Sequence, residues 1–194
     1  MGSIQSSYVG IDPSFTCTGV GAVNPTKISH FYFRGPELRG KRTGGIGRLT
    51  ALQHELRMHL EYLVRNLGPI KHVCIEGPAY AATNRADDLG QLRGVYAVCA
   101  AEFCETITVV PPTALKKFAT GSGAATKEKM VKAAAAICDE KLLHDEADAL
   151  WLAVLANGLE DESLKLKRYQ IEVIDGIRNP KVKRRISTRH ADNI

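Results

Sequence analysis

No apolar run in the chain reaches the roughly 18–20 residues that a helical membrane span needs, so no membrane partner is expected. The opening stretch, MGSIQSSYVGID, lacks a basic region followed by an apolar one. A secretory leader is therefore not expected, and the expected compartment is the cytoplasm. The cysteines (Cys17, Cys74, Cys99, Cys104 and Cys138) are odd in number, and none forms a C-x-x-C pair. That speaks against a disulfide framework or a zinc site and for reduced thiols in apolar surroundings. Internal repeats are also lacking. What is present is ordinary for one globular domain with a full core and a short appendage: 194 residues, 44% of them hydrophobic.

The net charge of +5 is unevenly placed. From Lys165 onward there are nine lysines and arginines against three acids, so the preceding residues carry a net charge of −1. A basic end of this kind suits a polyanion, with Lys183, Arg184 and Arg185 its densest run. A second basic stretch, residues 34–48, is rich in glycine and holds Arg39, Lys41 and Arg42. Both stretches are candidates for gripping DNA. The expected division is a folded domain over 1–158 and a basic C-terminal extension over 159–194.

Hydrophobic periodicity gives the elements. Strands are expected at Tyr8–Asp12, Thr18–Val23, Lys27–Arg34, Lys71–Glu76 and Thr106–Val110. The leucines at 49, 52, 56, 60, 63 and 67 recur in steps of three and four, which predicts a long amphipathic helix ended by Gly68-Pro69. Further helices are expected at about Arg85–Cys104, from Pro112 to Phe118, at Lys127–Lys141 and at Glu146–Asn157. Ile171, Val173 and Ile174 are compatible with an added strand. Short links make the first three strands an antiparallel meander. Helical crossovers make the later two parallel to the first. The fold class is a mixed α/β sheet flanked by helices.

Four acids stand out. Asp12 and Glu76 close apolar strands, where open α/β sheets place their sites. Asp145 and Asp148 lie three residues apart, on one face of a helix. Asp148 sits among Ala147, Ala149, Leu150, Trp151 and Leu152, where a lone charge is costly. Asp145 reads equally as a helix cap and Asp12 as a turn residue. Together, without a matching set of bases in these segments, they favour a cation. Oxygen donors with no Cys or His among them suit Mg²⁺ or Mn²⁺. Two such ions can activate a water and stabilise a leaving oxygen in phosphodiester hydrolysis. Lys116 and Lys117 read either as phosphate contacts or as a solvated helix face.

The residues then resemble a known family. Gly10-Ile11-Asp12-Pro13 with Thr18-Gly19, Ile75-Glu76, Leu89-Gly90-Gln91-Leu92-Arg93-Gly94-Val95, Lys127 after a glycine loop, and Asp145-Glu146-Ala147-Asp148-Ala149-Leu150 follow, in order, the motifs of the RuvC Holliday-junction resolvases. These belong to the RNase H-like superfamily. The resemblance spans residues 8 to 157, and the length suits phage-type members. It implies a five-stranded sheet ordered 3-2-1-4-5 with strand 2 antiparallel. It implies a homodimer that resolves four-way DNA junctions by paired nicks, using Mg²⁺ or Mn²⁺, two ions per site. By the same resemblance Asp12, Glu76, Asp145 and Asp148 are the metal ligands, Lys127 and Lys116 meet the scissile phosphate, and Tyr80 is the junction wedge. Ser14 and Gly77-Pro78 depart from the family pattern, and the basic extension lies outside it.

Three other readings compete. A broader nuclease of flaps and forks would use the same acids. A non-catalytic DNA-binding module would be hindered by them, since each weakens phosphate binding. An actin-like or sugar-kinase-like ATPase would share the Asp12 turn but needs two duplicated domains.

Overall fold

The computed structural model describes residues 5–35, 45–78 and 86–180. Five strands, β1 (Ser7–Asp12), β2 (Thr18–Asn24), β3 (Lys27–Phe33), β4 (Ile70–Glu76) and β5 (Cys104–Val110), form one sheet ordered β3-β2-β1-β4-β5. β2 runs antiparallel to β1 and β3, while β4 and β5 run parallel to β1. The helices are α1 (Gly45–Leu67), α2 (Ala86–Ala101), α3 (Pro112–Thr120), α4 (Lys127–Cys138), α5 (His144–Glu160) and α6 (Arg168–Arg178). The mixed sheet and its 3-2-1-4-5 order are as expected.

Alternation along the strands sorts side chains onto two faces. Val9, Ile11, Val20, Ala22, Val73 and Ile75 enter one core with the leucine stripe of α1 and with Leu92, Tyr96 and Cys99 of α2. The opposite face carries Gly10 and Asp12 on β1, Gly19 and Gly21 on β2, and Cys74 and Glu76 on β4. Helix α5 covers it and builds the second core with α3, α4 and α6.

The glycines matter here because they leave no side chain between sheet and helix. Gly10 pairs with Gly21 and Asp12 with Gly19 across β1 and β2. A Cβ on Gly10, Gly19 or Gly21 would come within 3.0 Å of α5 backbone atoms. The helix therefore rests directly on main chain, with Asp145 over Gly19 and Leu150 over Gly21.

Several boundaries differ from expectation. α2 ends at Ala101 because Cys104 already pairs with Ile70 in the sheet. α4 stops at Cys138, where Asp139 turns left-handed (φ 54°) and its N–H caps the Ala135 carbonyl. α5 starts earlier than expected, since Glu146 reaches back to the Leu143 N–H at 2.9 Å. The added strand is absent: Ile171, Val173 and Ile174 lie in α6. A strand would put Ile171 and Val173 on one face, yet Ile171 is exposed while Val173 and Ile174 are both buried. α6 packs on the second core, its Ile174 against Gly158 of α5.

Candidate active site

Asp12 and Glu76 close two parallel neighbours. Ile11 pairs with Ile75, so the two carboxyls emerge side by side on the α5 face. Asp12 is only 8% exposed. Burial, then the charges of Glu76 and Asp148, hold its carboxyl well above the ordinary range, and it shares a hydrogen bond with Glu76. Burial also raises Glu76, while the Asp12 hydrogen bond and the charges of Lys116 and Arg93 pull it back. The sense of the pair is that Asp12 carries the proton and donates it to Glu76.

Asp148 approaches from α5. Burial first, and Glu76 second, push its carboxyl up to about 7, against the pull of Lys116 and Lys127. Its Oδ1 is buried with no hydrogen-bond partner among the described residues. Asp145, one turn earlier, adds its charge to Asp12, Glu76 and Asp148. It also accepts a hydrogen bond from the Cys17 thiol, whose pKa burial and that contact push up to about 11. The turn between Asp12 and β2 is locked by Thr18, whose hydroxyl donates to the Ser14 carbonyl at 2.8 Å and meets the Tyr96 hydroxyl at 2.9 Å.

The four acids expected from sequence are thus brought together. Lys116 and Lys127 stand within electrostatic reach of them. Lys117 instead pairs with Glu172 of α6 at 2.9 Å. Tyr80, Arg39, Lys41, Arg42, Lys183, Arg184 and Arg185 lie outside the described residues. Two neighbours were missed by sequence reasoning. Arg93 sits in the quoted helix motif, which was its only signal. Cys17 gave none, being a lone thiol between Thr16 and Thr18 with no spacing to another cysteine that marks a site.

The chemistry of the cluster fits a hard divalent cation. Its donors at the centre are all carboxylate oxygens, one of them orphaned and buried, and two share a proton in place of a counter-charge. Among the described residues, no three His, Cys, Asp or Glu side chains stand ready to hold a metal as they are.

Strand order, acid-tipped parallel neighbours and an acid-bearing helix across them define the RNase H-like class. The sequence model of the family described as "Crossover junction endodeoxyribonuclease RuvC" matches residues 8–156. The chain is 31% identical to the RuvC of Chromohalobacter salexigens over 160 residues, which is 75% of this chain and 77% of that one. It is 27% identical to the RuvC of Chloroherpeton thalassium, over 75% and 78% of the two chains. The Thermus thermophilus RuvC structure superposes with a TM-score of 0.56 at 23% identity, over 76% of this chain and 91% of that one. The same protein in complex with a Holliday junction substrate gives a TM-score of 0.58 at 21% identity, over 77% and 90%. The chain belongs to the RuvC family of crossover junction endodeoxyribonucleases. Among the described residues no helix is long and apolar enough to cross a membrane.

Proposed function

We propose that this protein resolves four-way DNA junctions by metal-dependent paired nicks, as a homodimer and as a phage-type member working in the host cytoplasm. The carrying observation is the gathering of Asp12, Glu76, Asp145 and Asp148 over a side-chain-free floor. Two Mg²⁺ or Mn²⁺ ions, when bound there, would supply Lewis acidity and an activated water.

The chain's own residues have separable tasks. Asp12 and Glu76 present oxygens from adjacent strand ends. Asp148, with one oxygen already unpartnered, presents another from the helix, and Asp145 closes the group. Lys127 and Lys116 place positive charge where a scissile phosphate approaches, which offsets repulsion between the acids and the DNA backbone. Arg93 lends a third charge beside Glu76. The basic stretches of residues 34–48 and from Lys165 onward supply a wider, sequence-independent grip.

Support for the dimer comes from α2. No described residue stands within 4 Å of a Cβ built on Gly90 or Gly94, and Val98 on the same helix is 66% exposed. A smooth, partly apolar helix face of this kind suits a second copy, and two sites are what two symmetric nicks require.

The deciding experiment uses labelled four-way junction, flap, fork and linear duplex with Mg²⁺, Mn²⁺ or EDTA. Symmetric paired nicks in the junction alone, absent in EDTA, are the expected result. Equal cutting of flaps and forks would replace junction resolution with general branch cutting. Binding with no cleavage in either metal would leave a DNA-binding module.

A further inference from the structure

Helix α5 is tied to the sheet at both ends by a histidine–glutamate pair. At its C-terminus Glu160 accepts from His72 Nδ1 at 2.8 Å and from Lys71 Nζ at 3.2 Å, while His72 Nε2 meets the Thr108 hydroxyl at 2.8 Å. At its N-terminus Glu146 Oε1 lies 3.0 Å from His30 Nδ1. The other ring nitrogen of His30 lies 3.0 Å from Oε2 of Glu140, in the link between α4 and α5.

The N-terminal tie adjoins the acid cluster. Glu146 follows Asp145 directly and is 8% exposed. Its second oxygen accepts the Leu143 N–H that opens the helix. Both carboxylate oxygens are therefore engaged, and on the helix wheel Glu146 is turned about 100° from Asp145, toward β3 and away from Glu76. It is an acid of the motif with a different task from its neighbours. His30 reaches it from β3, where it pairs with Gly21, a member of the glycine floor.

We propose that His30 is a positioning residue for the cation-binding acids, acting through Glu146. This rests on the reading that Asp145 and Asp148 hold the cation. The glycine floor fixes how deep α5 sits and the second core holds its other sides, but neither gives its first turn a polar contact with the edge strand. The part-buried His30–Glu146 hydrogen bond supplies that contact. Asp145 and Asp148 are thereby held in register with Asp12 and Glu76. Glu140, bound by the same ring, holds the link before the helix. The His72–Glu160 pair anchors the far end, about 20 Å away along the helix, and serves as the internal control.

The test measures Mn²⁺ binding by electron paramagnetic resonance on the full chain, beside nicking and thermal unfolding. His30→Ala is expected to weaken Mn²⁺ binding by about 10-fold, in the range of losses for residues that orient metal ligands. Raised Mn²⁺ should recover kcat, and junction affinity in EDTA should stay unchanged. His30→Gln, which keeps a donor toward Glu146, should restore most of the Mn²⁺ affinity. Glu160→Gln should lower the melting temperature with Mn²⁺ affinity unchanged. If His30→Ala does not fold, Glu146→Gln takes its place, with the same expected loss. Wild-type Mn²⁺ affinity in the folded His30→Ala or Glu146→Gln variant overturns the proposal. So does an equal loss of affinity in Glu160→Gln, which would make the effect one of general stability. Asp148→Asn separates the two levels. If it abolishes Mn²⁺ binding while His30→Ala keeps wild-type affinity, only the positioning role falls. If it too binds Mn²⁺ normally, the site reading falls with it.

Discussion

Gly19 lies so close beneath Asp145 that a Cβ on it would meet the Asp145 carbonyl within 3.0 Å. Helix and strand touch backbone to backbone at the point where the acids meet. Gly19→Ala is expected to push the first turn of α5 outward, at about 1–3 kcal/mol. Nicking should fall at least tenfold, more than the loss of folded protein explains. Nicking rates at a temperature where both proteins are folded, with circular dichroism melts, would check this. A Gly19→Ala variant that cuts at the wild-type rate would contradict the close approach.

Asp12 and Glu76 are joined by a hydrogen bond, which requires a hydrogen on one of the two carboxyls. Asp12→Asn supplies that hydrogen without an ionisable group. Nicking is expected to drop below roughly a thousandth of the wild-type rate, with junction binding retained. In EDTA the variant should melt at or above the wild-type temperature, because a buried repulsion has been removed. Paired cleavage and unfolding measurements test both halves. A variant that cuts normally would remove Asp12 from the site.

The acids also set a pH dependence. The Asp148 carboxyl, ordinarily near 3.8, is pushed up to about 7 in the folded protein, and Asp12 is raised in the same direction. Between those values the folded state holds more protons than the unfolded chain. Stability of the metal-free protein therefore falls as pH rises through this window. Asp148 alone accounts for at most about 4 kcal/mol, or on the order of 10 °C in melting temperature. Carboxyls held low by their partners, such as Glu160 and Asp161, act oppositely but only up through their ordinary values of 4.5 and 3.8, which leaves the part of the window above about pH 5 to the acid cluster. Melts in EDTA from pH 5 to 7.5 should show the fall, and Asp148→Asn should flatten it. Saturating Mn²⁺ should reverse it. A curve that rises with pH in EDTA would refute the assignment.

The basic extension divides into two parts with different expected effects. Residues 168–178 form α6, with Val173 and Ile174 buried. Val173→Asp should cost about 3 kcal/mol of stability. The chain from Lys181 onward holds Lys181, Lys183, Arg184, Arg185 and Arg189. Removing residues 181–194 should leave stability unchanged and weaken junction binding. If about three of these cations meet phosphates, the slope of log affinity against log salt drops by roughly 3. Fluorescence anisotropy at several salt concentrations reads this directly, and an unchanged slope would free the segment of a DNA role.

The acids were legible in the sequence for a simple reason. A charge closing an apolar strand, or embedded in an apolar helix, breaks a local pattern, and Asp12, Glu76 and Asp148 each do so. Their meeting follows from the parallel pairing of β1 with β4, which the crossover rule anticipates. The helical α6 was not legible, because Ile171, Val173 and Ile174 are β-branched and close together. Its helical period emerges only with Gln170 and Ile177, which pack on the same side. The His30–Glu146 tie spans 116 residues, and no local pattern carries such a distance. The glycine floor lay in plain view, as glycines inside strands that ordinarily avoid them. Its meaning needed the register that sets Gly10 against Gly21 and Asp12 against Gly19.

That floor works as a mechanical stop. Elsewhere in the protein, the separation of helix and sheet is a compromise among side chains, and a substitution on one side can be absorbed on the other. Over Gly10, Gly19 and Gly21 the spacer is the thickness of two main chains, a length that no mutation can shorten. The span between strand-borne and helix-borne acids is then inherited from peptide geometry itself. Repacking beneath α1 and α2, on the other face of the sheet, leaves the thickness of that spacer unchanged.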